Sequence, residues 1–277
     1  MKTILRKRGF AQKRSEMNTV VFDPVIGREY EENGGRILGR RILVVGASHY
    51  CEHYNSATGC GENCAYYGNY RMTIGDRELY CGRSCEQFTA MVYERYRNRL
   101  GMQNERRWMR TLSRFYNSFF EGGNPTDEER NSLIDHLVCT EYVQGAEARV
   151  GEQNNSLLMD AVRNFDELVR CVKRVKPEVV VVWGSRVWRE MCRHLRISET
   201  DDAKLEIELG GSQVTLIRVS HPSSHGRNGF NRTDFAQLLK SSGMRLLCAG
   251  RLRVKTNDKK KSVVRRIPCK SIENPAR

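Results

Sequence analysis

The chain has 277 residues, with 47 Lys and Arg against 33 Asp and Glu, and a formal net charge of +14. Its apolar content of 39% is typical of a globular protein and argues against wholesale disorder. No apolar run approaches the ~18 residues that a membrane span needs. The basic N-terminus lacks the apolar stretch of a secretory signal, so we expect a cytoplasmic protein with no membrane partner.

The positive charge lies at the two ends of the chain. Residues 1–14 contain six basic residues and no acidic one, and residues 251–277 contain ten basic and two acidic residues. The residues between them carry 31 charges of each sign. Blocks of like charge often serve as arms for an anionic polymer. We therefore predict a basic N-terminal arm and lead-in over 1–35, one domain over 36–250 and a basic C-terminal tail over 251–277.

Four buried strands are predicted, in chain order, over 41–46, 136–141, 177–184 and 214–220. The first and third are β-branched apolar runs closed by glycine, which is typical of strands covered on both faces of a parallel sheet. Helix-period stretches alternate with the strands, over 86–100, 105–120, 157–176, 186–195 and 233–239. This alternation predicts the α/β class, with a three-layer α/β/α sandwich around a central, mostly parallel sheet.

The segments that follow the predicted strands are the first place to look for function. In open parallel sheets the functional crevice lies at the carboxyl ends of the strands. Those segments are 47–55, 141–144, 184–186 and 221–231, and three of the four are rich in polar and aromatic side chains. Polarity alone does not indicate function, because any surface loop must keep its backbone solvated. A shared edge of one sheet is what makes these four segments a candidate site.

Two of these segments carry motifs that, as a pair, resemble the uracil-DNA glycosylase superfamily. They are Gly46-Ala-Ser-His-Tyr50 after the first strand and His221-Pro-Ser-Ser224 after the last. Segment 140–144 falls where that family reads the base, and the resemblance covers roughly residues 36 to 245. It implies a monofunctional DNA glycosylase, an enzyme that hydrolyses the N-glycosidic bond of a flipped, non-standard base and leaves an abasic site. No lysine stands in the motifs as a Schiff-base nucleophile, so strand cleavage is not expected.

The resemblance implies catalytic roles for the two motifs. His221 would donate a hydrogen bond to a carbonyl oxygen of the departing base, and such a donor is worth about 2–4 kcal/mol in other enzymes. Ser48 stands where the family often has a water-activating Asp or Asn, and a hydroxyl is a poor base. His49 and Glu52 are the alternative bases. The missing carboxylate also leaves open a second function, that of a non-catalytic DNA-binding protein of the same fold.

Base recognition is expected from Gly46, Ala47, Tyr50 and Glu141. Glu141 stands where the family commonly has Asn, and a carboxylate accepting from an exocyclic amine is how Glu reads cytosine. This indicates a modified cytosine-type base, whereas Tyr50 aligns with the residue that closes off the 5-position and so favours uracil. Both bases stay open, as do the corresponding roles in defence against modified viral DNA and in base-excision repair. A ring to stack under the flipped base would come from Tyr54, Tyr66 or Tyr67.

DNA contacts are expected from two of the loops. In the family, the loop after His-Pro-Ser carries an apolar wedge that enters the minor groove, and Phe230 or His225 would fill that role here. We expect DNA as the partner and a monomer as the working state. The residues predicted to contact DNA are Ser185, Arg186, Ser223, Ser224, His225, Arg227 and Phe230.

The ten cysteines include two closely spaced pairs, Cys60 with Cys64 and Cys81 with Cys85, in a Cys-rich insertion over about 60–85. Two such pairs separated by 16 residues are typical of a structural zinc site with four thiolates. The alternative is four reduced thiols without metal, and the chemistry itself requires no cofactor. Four further cysteines lie in apolar runs and are predicted to be buried thiols: Cys139, Cys171, Cys192 and Cys248.

Overall fold

The computed structural model describes residues 22–32, 34–47, 49–50, 71–74, 77–80, 88–98, 107–121, 124–144, 146–147, 162–198, 202–226 and 229–249. Within these ranges the strands are β1 (Val25–Ile26), β2 (Ile42–Gly46), β3 (His49–Tyr50), β4 (Arg71–Ile74), β5 (Arg77–Tyr80), β6 (Phe120–Glu121), β7 (Leu137–Glu141), β8 (Ala146–Glu147), β9 (Val179–Trp183), β10 (Lys204–Leu209), β11 (Ser212–Val219) and β12 (Leu247–Cys248). The helices of the same ranges are α1 (Arg28–Glu32), α2 (Phe88–Arg97), α3 (Arg107–Tyr116), α4 (Asp127–Ile134), α5 (Val162–Val175), α6 (Ser185–Leu195) and α7 (Arg232–Ser241). None of these helices is long and apolar enough to cross a bilayer.

The central sheet has six strands in the spatial order β1-β7-β2-β9-β11-β10. The three inner pairings, β7–β2, β2–β9 and β9–β11, are parallel, and the two outer strands pair antiparallel. The predicted α/β class and the mostly parallel sheet are therefore confirmed. The four predicted strands form the centre of the sheet, and β1 and β10 extend it at either edge.

Side chains of the four central strands alternate between two apolar clusters, one on each face of the sheet. Strands β2 and β9 are buried along their whole length, which explains their uninterrupted apolar sequence. One cluster joins the sheet to α2, α3, α4 and α7, and the other joins it to α1, α5 and α6. The sheet therefore lies between two helical layers, as in the predicted three-layer sandwich.

The domain begins before residue 36, its predicted start. Val25 and Ile26 pair with β7, and the Tyr30 side chain is only 3% exposed. The Tyr30 hydroxyl donates a 2.9 Å hydrogen bond to the carbonyl of Val175 at the end of α5. The lead-in is thus part of the sandwich, while residues 1–21 and 251–277 lie outside the described residues.

The eight cysteines that carry a prediction divide into three groups. Cys139, Cys171 and Cys192 are buried and outside any disulfide, as predicted. Cys248 on β12 is only half-buried and is disulfide-bonded, so its prediction as a buried free thiol is wrong. The four cysteines of the predicted zinc site, Cys60, Cys64, Cys81 and Cys85, lie outside the described residues, and the zinc site stays a prediction.

Candidate active site

A row of residues runs across four strands at the carboxyl edge of the sheet. Glu141 pairs with Gly46, and Trp183 pairs with Val219. The register of β2 with β9 places Gly46 level with Trp183. At a strand spacing of about 4.8 Å, the row is about 14 Å long. The carboxyl ends of the predicted strands thus meet at one edge, and His221 follows two residues after the end of the row.

The row faces the helical layer that contains α2, α3, α4 and α7. Trp183 and Val219 belong to the apolar cluster on that side. Cys139 belongs to the same cluster, and because successive residues of a strand alternate between faces, Glu141 projects to that side as well. The candidate site therefore lies at the carboxyl edge of the sheet, on the face that these four helices cover.

Gly46 leaves room for the carboxylate of Glu141. A β-carbon placed on Gly46 would stand 2.6 Å from Oε1 of Glu141 and closer still to Oε2. Two hydrogen bonds join the segments that follow β2 and β7. The N–H of Tyr142 donates to the Gly46 carbonyl, and that of Val143 donates to the Ala47 carbonyl, both at 3.0 Å. The half-buried carboxylate thus rests above the backbone of β2.

The His221 ring is held in one protonation pattern by its own loop. The backbone N–H of Ser223 donates a 3.2 Å hydrogen bond to Nδ1 of His221. Because that N–H can only donate, Nδ1 is the unprotonated nitrogen, and the Ser223 hydroxyl, 2.7 Å away, donates to it too. The proton of the neutral ring is then on Nε2.

The surroundings of His221 favour the neutral ring. The Trp183 ring lies edge-on to the imidazole, with ring centroids 5.8 Å apart and planes at 87°. A β-carbon on Gly184 would lie 3.8 Å from the β-carbon of His221, so the end of β9 closes one side of the histidine. Burial lowers the pKa of His221 below its ordinary value of 6.5. At neutral pH the ring is an uncharged donor.

Arg114 on α3 holds the loop that carries His221. Its Nη1 donates to the carbonyls of Ser224 at 2.9 Å and Pro222 at 3.2 Å, and its Nη2 donates to the carbonyl of Phe230 at 2.5 Å. Nη1 also lies 3.3 Å from Nδ1 of His225. One guanidinium therefore bridges both ends of the loop.

Phe230 is part of the core, and its prediction as a wedge for the minor groove is wrong. Its ring is 3% exposed and lies 6.0 Å from the ring of Phe235 and 6.2 Å from that of Phe115. The apolar ring gains more by packing under the loop than by projecting into water. His225, the other residue predicted for the wedge, is exposed.

The chain matches no protein-family model and no curated protein sequence. The resemblance to glycosylases therefore depends on the two motifs, and the site has to be judged by its own geometry.

The remaining predicted residues occupy several places. Ser185 and Arg186 are exposed at the start of α6, beside the end of β9. Strand β3 (His49–Tyr50) pairs with β8, but the side chains of both its residues lie outside the described residues, as do Ser48, Arg227 and the other predicted base and stacking residues, Glu52, Tyr54, Tyr66 and Tyr67.

Basic residues are not spread evenly over the body of the protein. The segment 162–198, which contains α5 and α6, has nine basic and four acidic residues. On α6, Arg186, Arg189 and Arg193 are exposed and follow one another at helical spacing, on the side opposite the buried Trp188. This side of the sandwich is therefore cationic, although the charges of residues 15–250 balance.

Arg114 and Trp183 belong to the candidate site but were not predicted from the sequence. Trp183 could have been found, because it is the last residue but one of the strand predicted over 177–184, at the edge where the candidate loops meet. Nothing local distinguishes Arg114 from the other arginines of the same helix, and only the folded loop reveals its partners.

Proposed function

We propose that the protein is a monofunctional DNA glycosylase that hydrolyses the N-glycosidic bond of a flipped, non-standard base and leaves an abasic site. The substrate is a modified cytosine-type base or uracil, and the biological role is base-excision repair or defence against modified viral DNA. A flipped nucleotide would enter the carboxyl edge of the sheet between Glu141 and His221.

The observation that carries this proposal is the fixed orientation of the His221 ring. Hydrolysis breaks the bond between C1′ and the base nitrogen, and the electron pair of that bond leaves with the base. A water oxygen bonds to C1′, and the proton that this water loses is balanced by the proton that the base takes up. The Nε2–H of His221 would donate to a carbonyl oxygen of the base as negative charge develops there, a contribution of about 2–4 kcal/mol in comparable sites. Because Nδ1 accepts from the N–H of Ser223, the one proton of the neutral ring is on Nε2, the nitrogen that would face the base.

The second part of the proposal concerns the choice of base. Glu141 offers only acceptors, and its carboxylate lies over Gly46 in the row that leads to His221. An exocyclic amine, such as N4 of a cytosine-type base, is the natural partner of such a group. This favours an amine-bearing base over plain uracil.

DNA is the proposed partner because an exposed cationic side chain stands at the edge of the sheet that carries the site. Arg186 begins α6, directly after the end of β9. The neutralisation of phosphates by such groups supplies most of the non-specific affinity of DNA-binding proteins.

The proposal is tested with a panel of labelled oligonucleotides that contain uracil, hypoxanthine or modified cytosines, each treated with alkali to cleave abasic sites. We expect the wild-type protein to act on at least one member, and His221→Ala to reduce the rate by a factor of about 10²–10³. His136→Asn is the matched control, because His136 precedes β7 at the opposite edge of the sheet, where its Nδ1 lies 2.9 Å from the Ser132 carbonyl. Equal rates for wild type and His221→Ala would contradict the proposed mechanism.

The choice of base is tested by Glu141→Gln on the same panel. Glutamine offers both a donor and an acceptor, so the variant should lose rate on amine-bearing bases and gain relative rate on uracil. Robust release of uracil by the wild-type protein would contradict the role given to Glu141.

A second function, a non-catalytic DNA-binding protein, is favoured by Ser48, because a serine hydroxyl is a poor base for activating water. The same panel decides between the two. DNA binding without any abasic product, from wild type as well as from His221→Ala, would support the binding protein.

A further inference from the structure

We infer that Arg114 is a positioning residue that sets the orientation and the proton-bearing nitrogen of His221 through the loop between them. The expected effect of Arg114 on catalysis rests on the proposed glycosylase function, whereas its expected effect on the His221 imidazole does not. Among the described residues, Arg114 lies 3.3 Å from Nδ1 of His225 but makes no hydrogen bond to the His221 ring, so its effect on that ring has to pass through the loop.

The first step is the turn that begins at His221. The N–H of Ser224 donates a 2.7 Å hydrogen bond to the carbonyl of His221, which closes a β-turn with Pro222 at its second position. Proline fixes its own φ near the value that this position requires. The turn is therefore defined locally, but two of its carbonyls, those of Pro222 and Ser224, point towards α3.

The second step is the capture of those carbonyls by Arg114. Its Nη1 serves both of them, and its Nη2 reaches the carbonyl of Phe230 at the far end of the loop. The guanidinium also lies over the Phe230 ring, 5.5 Å from the ring centroid. A planar guanidinium with several donors in a fixed fork can hold three carbonyls at once, and a lysine ammonium cannot match that geometry.

The third step connects the turn to the imidazole. The N–H of Ser223, inside the turn, donates to Nδ1 of His221. If the carbonyls on either side of Ser223 lose their donor, the turn is no longer held against α3, and the N–H no longer points steadily at Nδ1. The ring can then rotate, and the proton can occupy either nitrogen. Arg114 thus determines whether Nε2–H is presented to a substrate.

The test that does not depend on activity is NMR of the full-length protein labelled with ¹⁵N, in which the two ring nitrogens of His221 are read through their couplings to the ring protons. We expect wild type to show one form, with the proton on Nε2. Arg114→Gln and Arg114→Lys should both show a mixture of the two neutral forms. Arg110→Gln is the matched control, because Arg110 is exposed on the same helix, and it should keep the wild-type pattern.

Thermal unfolding shows which variants are folded. If Arg114→Gln does not fold, Arg114→Lys takes its place in the test, because it keeps the charge and most of the side chain. An unchanged Nε2–H form in a folded Arg114→Gln protein would overturn the inference. A wild-type pattern in Arg114→Lys would also overturn it, because charge alone would then be sufficient.

The kinetic test uses the base that the wild-type protein releases. The Arg114 variants should lose about 10²-fold in kcat, the size expected when a reacting group is misplaced by about 1 Å. Their dissociation constant for the oligonucleotide should stay near that of wild type, since Arg114 faces the loop backbone. Inactive wild-type protein would refute the proposed function and leave the NMR result to decide the role of Arg114. Loss of DNA affinity instead of kcat would overturn the positioning role.

Discussion

The carboxylate of Glu141 occupies the space that a side chain on Gly46 would fill. The two residues face each other on neighbouring parallel strands, and a β-carbon on Gly46 would stand 2.6 Å from Oε1 of Glu141. Any substrate that reaches this part of the sheet edge meets the carboxylate before it meets the backbone of β2. The glycine that ends the strand thus leaves room for the acidic group beside it.

Substitution of Gly46 by alanine should force this carboxylate to move. The contact is shorter than real β-carbon contacts, but it involves the end of a flexible, half-buried side chain that can turn aside, so we expect Gly46→Ala to lower the free energy of unfolding by about 1 kcal/mol, the low end for overpacked sites. The loss should be much smaller when Glu141→Ala is already present, because the obstructing group is gone. Urea unfolding of the two single variants and the double variant measures this coupling. Strictly additive losses would mean that the two side chains do not compete for the same space.

The pH dependence of stability should include a contribution from His221. Because burial lowers the pKa of this ring below 6.5 in the folded protein, the unfolded chain takes up a proton first as the pH falls. The contribution of the neutral ring to the free energy of unfolding is complete above pH 6.5. It is lost as the pH falls from there towards the lowered pKa that His221 has in the folded protein. The stability should therefore decrease over that range.

His221→Asn should reduce the loss of stability below pH 6.5. Thermal unfolding of the wild-type protein and the variant at a series of pH values measures the difference. His136→Asn provides the comparison for removing a histidine that lies elsewhere. An identical pH profile for wild type and His221→Asn would show that the burial of His221 has no effect on its proton affinity.

Phe230 should behave as a core residue. Truncation of a buried phenylalanine costs about 3–5 kcal/mol, so Phe230→Ala should strongly lower the denaturant midpoint. Phe230→Leu, which keeps most of the apolar volume, should lose much less. A residue that worked only as an exposed wedge would show the opposite result, with wild-type stability and a defect confined to DNA.

The fold was predictable because its central strands are buried on both faces. In β2 and β9, every position is buried, and β-branched residues fill seven of the ten, so the sequence leaves little choice of structure. The edge strand β10 is different, since it alternates charged and apolar residues and has one partner strand. Helix α4 is polar, and its strongest signal is the capping box between Thr126 and Glu129.

The candidate site was predictable only where its residues stand in a short motif or end a strand. His221 stands in such a motif, and Glu141 ends a recognisable strand. The role of Phe230 was mistaken because a loop aromatic near a functional histidine can point either to solvent or to the core, and local sequence does not decide between them. Arg114 is more than 100 residues from the loop that it holds, so only the tertiary fold brings the two together.

The basic tail should contribute to DNA affinity without contributing to chemistry. Deletion of residues 251–277 removes ten basic residues, and the dependence of log affinity on log salt should flatten by about 0.9 for each lost phosphate contact. Binding titrations over a range of salt concentrations measure the slope, with a tail of equal length made of Gly and Ser as the control. An unchanged slope would show that the tail does not contact DNA.

Helix α3 supports the candidate site with two adjacent residues. Arg114 holds the loop after β11, and the ring of Phe115, the next residue, packs at 4.7 Å on Trp183 at the end of β9. The histidine loop thus rests on α3, whereas Trp183 and Glu141 are held in the same hydrogen-bonded sheet. A shift of α3 would therefore move His221 relative to Glu141. On the proposed function, core substitutions beneath this helix would change the distance between donor and acceptor without altering any residue that contacts the base.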